Sequence, residues 1–88
     1  MKCDIGAIVQ SKAGRDKDDY FIVIGKLDND YCLIADGKNR KLSKPKKKKI
    51  KHLIVCREIS ELKERLEQAK YILDSHLRIE LKNFLKNM

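Results

Sequence analysis

The sequence predicts a small, mainly β domain, a closed five-stranded barrel at residues 1–56, followed by a C-terminal helical appendage at residues 57–88. Two patterns predict this fold class. In the first part, short apolar runs alternate with polar segments that carry Gly, Asp and Asn, which is typical of strands joined by tight turns. After about residue 57, apolar residues recur at steps of three and four, the period of a helix. A chain of 88 residues is long enough for one domain, with or without an appendage.

The first two predicted strands are the apolar runs Ile5 to Val9 and Tyr20 to Leu27. The second run is apolar on both faces. One face can fill the interior of a barrel, but the other, which carries Tyr20, Ile22 and Ile24, then needs a cover. We expect the C-terminal segment to pack there and supply it.

The remaining predicted strands follow at short intervals. A three-residue polar connection leads into a returning strand from Tyr31 to Ala35. Asp36-Gly37 is a turn signal, after which Lys38 to Ser43 can pair as a short basic strand. Pro45 interrupts regular pairing, and the last strand runs from Ile50 to Cys56. Five short strands with short turns suit a small closed barrel.

The C-terminal segment carries one apolar stripe. Its members are spaced three or four residues apart: Ile59, Leu62, Leu66, Ala69, Leu73, Leu77, Leu81, Phe84 and Met88. Asp74-Ser75 offers an N-cap in the middle of the segment, so we predict two helices, at residues 59–70 and 75–87. A single long helix that dimerises through its stripe is the alternative.

The net charge of +8 is concentrated in one stretch of the chain. Residues 38–52 carry nine cations and no acid, whereas residues 1–37 carry a net charge of −2 and residues 53–88 carry +1. Such concentration is typical of a binding site for a polyanion. Lysines predominate, which favours contacts with a phosphate backbone over the reading of bases. A disordered solubilising loop and a nuclear import signal are the alternatives for this segment.

A second basic group lies between the first two strands, in the segment from Ser11 to Lys17. It contains Lys12, Arg15 and Lys17 around Gly14. Glycine can adopt a positive φ or allow a partner's backbone to approach closely. A loop tip with a glycine and three cations is suited to gripping phosphates, and an ordinary surface turn is the alternative.

The run from Gly6 to Lys17, followed by Phe21 to Ile24, resembles a KOW motif. More closely, it resembles the small bacterial KOW-domain RNA-binding proteins related to a KOW-type protein of the archaeal and eukaryotic large ribosomal subunit. The segments Ala35 to Leu42 and Lys44 to Leu53 extend the resemblance, which covers about residues 4–54. The resemblance implies an SH3-like (KOW) barrel that binds RNA, in particular ribosomal RNA in association with the ribosome.

The chain departs from the family pattern directly after Lys17, where Asp18 and Asp19 stand in place of an expected glycine. Two acids do not favour a phosphate contact on that side of the loop. The predicted RNA contacts are the cations of the two basic groups together with one glycine and one histidine: Lys12, Gly14, Arg15, Lys17, Lys38, Arg40, Lys41, Lys44, Lys46, Lys47, Lys48, Lys49, Lys51 and His52.

The aromatic residues bear on the kind of RNA. Single-strand binders stack bases on exposed aromatic side chains, but this chain has five scattered aromatic residues and no Trp. We therefore expect structured, double-helical or junctional RNA. Tyr31 could stack a base, but the pattern favours a half-buried strand tyrosine. The lack of an aromatic cluster also argues against a proline-peptide-binding SH3 domain.

Catalysis has little support in the sequence. His52 and His76 have no suitably spaced carboxylate or thiol, and there is no Walker loop, zinc spacing or nucleophile motif. Asp16, Asp18 and Asp19 lack the Gly and Glu of a calcium loop. We expect no enzyme activity, cofactor, metal or small-molecule substrate. The alternative from another class is a protein-interaction adaptor that uses the apolar stripe.

The cysteines indicate the compartment. Cys3, Cys32 and Cys56 are an odd number without C-x-x-C spacing, and the last two lie in apolar runs, which is typical of buried reduced thiols. Reduced thiols favour a reducing compartment. With no signal peptide or membrane-spanning run in the sequence, we expect a cytoplasmic protein without a membrane partner.

Overall fold

The structure is a computed structural model that describes residues 3–58, 62–68 and 71–87. In these residues the chain forms a five-stranded antiparallel sheet followed by helices. The elements are β1 (Ile8–Ser11), β2 (Tyr20–Lys26), β3 (Tyr31–Ala35), β4 (Lys46–Lys49), a 3-10 turn (Ile50–His52), β5 (Leu53–Arg57), α1 (Lys63–Glu67) and α2 (Asp74–Lys86).

The strand order across the sheet is β4-β3-β2-β1-β5. Consecutive strands β4 and β5 therefore lie at opposite edges, and among the described residues the pairing is open rather than closed into the predicted barrel. The 3-10 turn between them bonds to neighbouring loops instead. The Ile50 N–H donates to the Asp30 carbonyl at 2.8 Å, and the Lys12 N–H donates to the His52 carbonyl at 3.0 Å. These bonds hold the connection in place without pairing the two edge strands.

Two strands begin later than predicted. β1 begins at Ile8, because Ile5 and Gly6 form a turn. β5 begins at Leu53, because the 3-10 turn takes up the first residues of the predicted last strand.

The predicted strand from Lys38 to Ser43 is wrong, and the fourth strand lies after Pro45. The Asp36 carboxylate accepts hydrogen bonds from the backbone N–H groups of Lys38 at 2.9 Å and Arg40 at 2.8 Å. Bonds of this kind close a turn and compete with a strand ladder. Pro45 precedes the edge strand β4, a position where its missing N–H is not needed.

The sheet is buried on both faces. The inner core consists of Ala7, Val9, Phe21, Val23, Cys32, Ile34 and Leu53. The outer core consists of Ile8, Ile22 and Ala35, together with Leu62, Leu77 and Leu81 of the C-terminal segment. Successive side chains of a strand point to opposite faces, which explains why β2 contributes to both cores.

The C-terminal helices cover the outer face of β2. Ile22 and Leu77 are fully buried in the outer core, and the ring centroids of Tyr20 and Phe84 lie 5.9 Å apart. The segment is therefore packed on the sheet and is not a free arm. Leu73, a member of the predicted stripe, is 43% exposed, because it lies in extended backbone just before α2.

The predicted N-cap at Asp74-Ser75 is wrong. Leu73 occupies the N-cap position and Asp74 is the first helical residue. The Asp74 carboxylate accepts a hydrogen bond from the Leu42 N–H at 2.7 Å, while His76 Nδ1 accepts one from the Leu73 N–H at 2.9 Å. The Asp74 carboxylate, which was predicted to cap the helix, is therefore used in a tertiary hydrogen bond to Leu42.

Gly37 explains how α2 docks so closely. It has φ +77°, and a Cβ at this position would overlap the Asp74 carbonyl oxygen. Arg78 Nη1 donates to the Gly37 carbonyl oxygen at 2.6 Å. The turn after β3 and the first turns of α2 are therefore joined by backbone contact.

Parts of the predicted tail lie outside the described residues. Of the helix predicted at residues 59–70, the structure describes α1 and its flanks, and Ile59, Ala69 and Met88 of the stripe are not described. Cys3, Cys32 and Cys56, all within the described residues, are free thiols, with Cys32 buried and the other two partly exposed. In the described part of the chain, no helix combines the length and apolarity needed to cross a bilayer.

Candidate nucleic-acid interface

The four lysines of β4 do not form a single basic surface. Because side chains alternate along a strand, Lys46 and Lys48 point toward the loop between β1 and β2, whereas Lys47 and Lys49 point toward Tyr31 on the other face. The register places Lys48 opposite the buried Cys32 and Lys49 opposite Tyr31. A run of like residues is thereby divided into two pairs with different surroundings.

The inward pair surrounds Asp16. Lys48 Nζ lies 2.7 Å from Asp16 Oδ1, and Lys46 Nζ lies 2.7 Å from Asp16 Oδ2. Lys48 Nζ also donates to the Ala13 carbonyl at 2.8 Å, and the Ser11 hydroxyl lies 2.7 Å from Asp16 Oδ1. The side chains of Lys48 and Asp16 are 8% and 12% exposed. Lys46 and Lys48 thus share the single negative charge of Asp16, and the prediction that they contact RNA stays a prediction.

The protonation equilibrium of Asp16 reflects this arrangement. Burial alone would raise the pKa of Asp16, but hydrogen bonds from Lys46, Lys48 and Ser11, with the charge of Lys46, outweigh burial and lower the pKa well below its usual range. A carboxylate that accepts several hydrogen bonds from charged donors strongly favours its ionised form. Asp16 is thus a fixed anion that ties the loop to β4.

The loop backbone is shaped by two residues with positive φ. Gly14 has φ +87°, and a Cβ there would lie 3.4 Å from Lys48 Nζ and 3.7 Å from Asp16 Oδ1. Asp18 has φ +75°, the only non-glycine residue of the described chain in this region. The Asp18 N–H donates to the Ser11 carbonyl at 2.8 Å, which closes the loop at its base. Asp tolerates the left-handed region better than most residues, but glycine occupies it at least cost.

The remaining cations of the loop are free to meet a partner. Lys12, Arg15 and Lys17 are exposed, as the sequence predicts for a basic loop tip. Lys12 is bonded through its backbone to His52 of the 3-10 turn, so the loop lies beside the end of the basic segment.

The pKa of His52 reflects the lysines that surround it. Burial lowers the pKa of His52, and the charges of Lys51, Lys49, Lys48 and Lys12 lower it further. Lys12, Lys49 and Lys51 are exposed. Residues about forty positions apart in the chain thus form one cationic surface, which we call the His52 surface (Lys12, Lys49, Lys51 and His52).

The other predicted contacts lie elsewhere. Lys38 and Arg40 are exposed in the turn that docks against α2, and Lys41 and Lys44 follow them, also exposed. Lys38 lines a cleft that it shares with Asp18, Asp19 and Arg78, so acidic groups lie near it. These four cations are solvent-accessible but are set in a separate turn from the His52 surface.

Two residues of this region have roles that sequence analysis missed. The sequence suggests Asp16 only as a cation ligand, but its position between the cations Arg15 and Lys17 of a basic loop is a signal for an internal partner of lysine. Tyr31 carries Lys47 Nζ at 4.5 Å and Lys49 Nζ at 6.0 Å from its ring centroid. The described residues contain no group of three His, Cys, Asp or Glu side chains placed to hold a metal.

Comparison of the chain with models of protein families finds no match, and comparison with curated proteins finds none either.

Proposed function

We propose that the protein binds structured RNA, in particular ribosomal RNA in association with the ribosome, by holding the phosphate backbone, and that it acts as a binding protein without a catalytic step. The observation that carries the proposal is the His52 surface, where the backbone N–H of Lys12 in the β1–β2 loop donates to the His52 carbonyl beside the exposed cations Lys49 and Lys51. The charges of these lysines contribute to the lowered pKa of His52. Like charges brought this close repel one another, and a phosphate backbone relieves the repulsion by supplying the counter-charge.

The backbone of the loop supports the resemblance to KOW domains. The family pattern places a glycine after Lys17, and Asp18 has the positive φ that a glycine adopts without strain. The five-stranded antiparallel sheet is in keeping with an SH3-like arrangement. We therefore propose a KOW-type module in which Asp16 holds the loop and the exposed cations around it contact RNA.

The side chains favour backbone contacts over sequence reading. The exposed cations are mostly lysines, which act as flexible point charges. Double-stranded RNA is recognised largely by its shape and by phosphate and ribose contacts. A helical RNA segment or a junction is thus the ligand that this surface fits best.

The adaptor alternative has less to support it. Leu62, Leu77 and Leu81 of the apolar stripe are buried against the protein's own sheet. These three described members of the stripe therefore serve the protein's own core rather than a partner.

The test is a salt titration of binding to an RNA hairpin that contains a base-paired stem. The variant Lys12→Glu/Lys51→Glu changes two cations of the His52 surface, and Arg65→Glu/Lys86→Glu makes the same charge change on exposed positions of the helices. Each lost phosphate contact should lower the slope of log K against log salt by roughly 0.7 to 0.9. We expect the first variant to lose affinity and slope, and the second to keep its slope close to that of the parent. Equal behaviour of the two variants would contradict the proposed site, and a salt-independent affinity would contradict a phosphate grip.

A further inference from the structure

One part of the sheet's outer face, which carries Tyr31, Leu33, Lys47 and Lys49, lies outside the outer core that the described helical residues form with β2 and Ala35. The described part of α2 packs on β2, and the outer core does not include Tyr31 or Leu33. The register pairs Tyr31 with Lys49 and Leu33 with Lys47. One half-buried aromatic ring and two exposed lysines therefore share a face.

Tyr31 also forms one side of a cleft. The cleft is lined by Asn29, Asp30, Tyr31, Lys49, Ile50 and Lys51. Two of these residues are bonded to each other, since the Ile50 N–H donates to the Asp30 carbonyl at 2.8 Å. The Asp28 carboxylate accepts hydrogen bonds from the N–H groups of Asp30 and Tyr31, each at 2.8 Å. Tyr31 thus follows a tight, hydrogen-bonded turn.

We propose that Tyr31 is a stacking platform for one unpaired nucleotide of the RNA, with Lys47 and Lys49 holding the phosphates on either side of that base. The inference rests on the proposed RNA-binding function and adds a subsite to it. A nucleotide combines an aromatic face with a flanking anion, and this cleft combines an aromatic ring with cations at its edge. Asn29 and Asp30 supply hydrogen-bonding groups beside the ring that can meet the edge of a base.

The lysines over the ring do not prevent stacking. In the free protein Lys47 Nζ lies 4.5 Å from the ring centroid, a contact that is weak at an exposed site. Stacking of a base on an aromatic side chain is the stronger interaction. A base therefore displaces the ammonium group, and the long lysine side chain follows the adjoining phosphate, so that the cation is not left without a partner.

The subsite lies next to the His52 surface, since Lys49 and Lys51 belong to both. An RNA stem held by the His52 surface can thus place a bulged or junctional nucleotide on Tyr31. A ligand that is mostly double-helical can thus use one half-buried tyrosine as a platform for a single unpaired base.

The experiment uses two RNA hairpins that differ only in one unpaired 2-aminopurine in the stem, and three variants of the full chain. Tyr31→Leu removes the ring, Tyr31→Phe keeps it, and Tyr71→Leu is the matched control, because Tyr71 is a 76%-exposed tyrosine of the tail. We expect the parent to prefer the bulged hairpin by roughly 5- to 150-fold, the range for stacking one base on an aromatic side chain, and to quench the 2-aminopurine fluorescence. Tyr31→Leu should lose both the preference and the quenching, while Tyr31→Phe and Tyr71→Leu keep them.

The outcomes separate this inference from the proposed function. If Tyr31→Leu keeps the preference and the quenching, or if the parent shows neither while still binding the paired hairpin in a salt-dependent way, the stacking platform is wrong and the phosphate grip stands. If no hairpin binds the parent at low salt, both proposals are wrong. A thermal melt of Tyr31→Leu and its affinity for the paired hairpin show whether the variant has kept the fold.

Discussion

Lys48 Nζ lies 2.7 Å from Asp16 Oδ1, in an ion pair that joins the edge strand β4 to the β1–β2 loop across 32 positions of the sequence. Lys46 completes the arrangement from the same strand face. Charges with so little exposure are stable only when paired and hydrogen-bonded. The pair therefore ties the β1–β2 loop to the edge strand β4.

Asp16→Asn should strongly destabilise the protein. The substitution leaves two lysines, one of them largely buried, without a counter-charge, and loss of one partner of a buried pair costs on the order of 3 kcal/mol. Urea unfolding measures the effect. Asp19→Asn, at an exposed acid of the same loop, is the control and should change the free energy of unfolding by less than about 0.5 kcal/mol. Equal stability of the two variants would contradict a structural role for Asp16.

The contribution of Asp16 should depend on pH in one direction. Its pKa is lowered in the folded protein, so the unfolded chain binds the proton more tightly, starting near the ordinary Asp value of about 3.9. The stabilisation is thus fully present above about pH 4 and is lost as pH falls below that value toward the folded pKa. Unfolding curves of the parent and Asp16→Asn should converge as pH is lowered from 6 to 2.5. A difference that stays constant over this range would show that the carboxylate charge is not responsible.

The two lysine pairs of β4 should respond differently to the same change. Lys46→Gln/Lys48→Gln removes the partners of Asp16 and should lower the melting temperature. Lys47→Gln/Lys49→Gln removes exposed cations and should leave the melting temperature close to that of the parent while weakening RNA binding. The two variants have equal charge and composition, so each is the control of the other in thermal melts and mobility-shift titrations. If both affect binding and stability alike, the alternation in β4 has no functional meaning.

Gly14→Val should destabilise the loop. A β-branched residue at φ +87° is strained, and the left-handed region costs an ordinary residue about 1 to 2 kcal/mol. Asp18→Gly is the companion variant, because glycine relieves the strain at φ +75° and should leave the melting temperature unchanged or higher. A valine variant that melts like the parent would make Gly14 a simple spacer.

Leu77→Ala should show that the tail is part of the folded core. Leu77 is fully buried between α2 and the sheet, and truncation of a buried leucine costs about 2 to 5 kcal/mol. The melting temperature should fall by the same amount at two protein concentrations that differ tenfold. Leu85→Ala, at a half-exposed position of the same helix, should have little effect. A shift for Leu77→Ala that depends on concentration would indicate that the tail contributes to self-association instead.

The sequence by itself determined those strands and helices in which apolar and polar residues follow a recognisable pattern along the chain. The short, continuous apolar runs of β2 and β3, bounded by turn residues, predict strands buried on both faces. The 3.6-residue period of the α2 stripe states which side of that helix is buried. The basic loop tip could also be predicted from the sequence, because its three cations and one glycine lie within seven consecutive residues.

Only the tertiary structure decided the position of β4, the role of Asp16 and the surroundings of Tyr31. A run of four lysines has no polarity period, so nothing in it distinguishes inward from outward residues. Its register against β3 makes that distinction, by placing Lys48 opposite Cys32 and Lys49 opposite Tyr31. The same holds for Asp74, whose carboxylate bonds to Leu42 rather than capping its helix. Long-range contacts assign partners to polar groups that local sequence leaves without one, because a buried charge or hydrogen-bonding group must be satisfied wherever the fold supplies a partner.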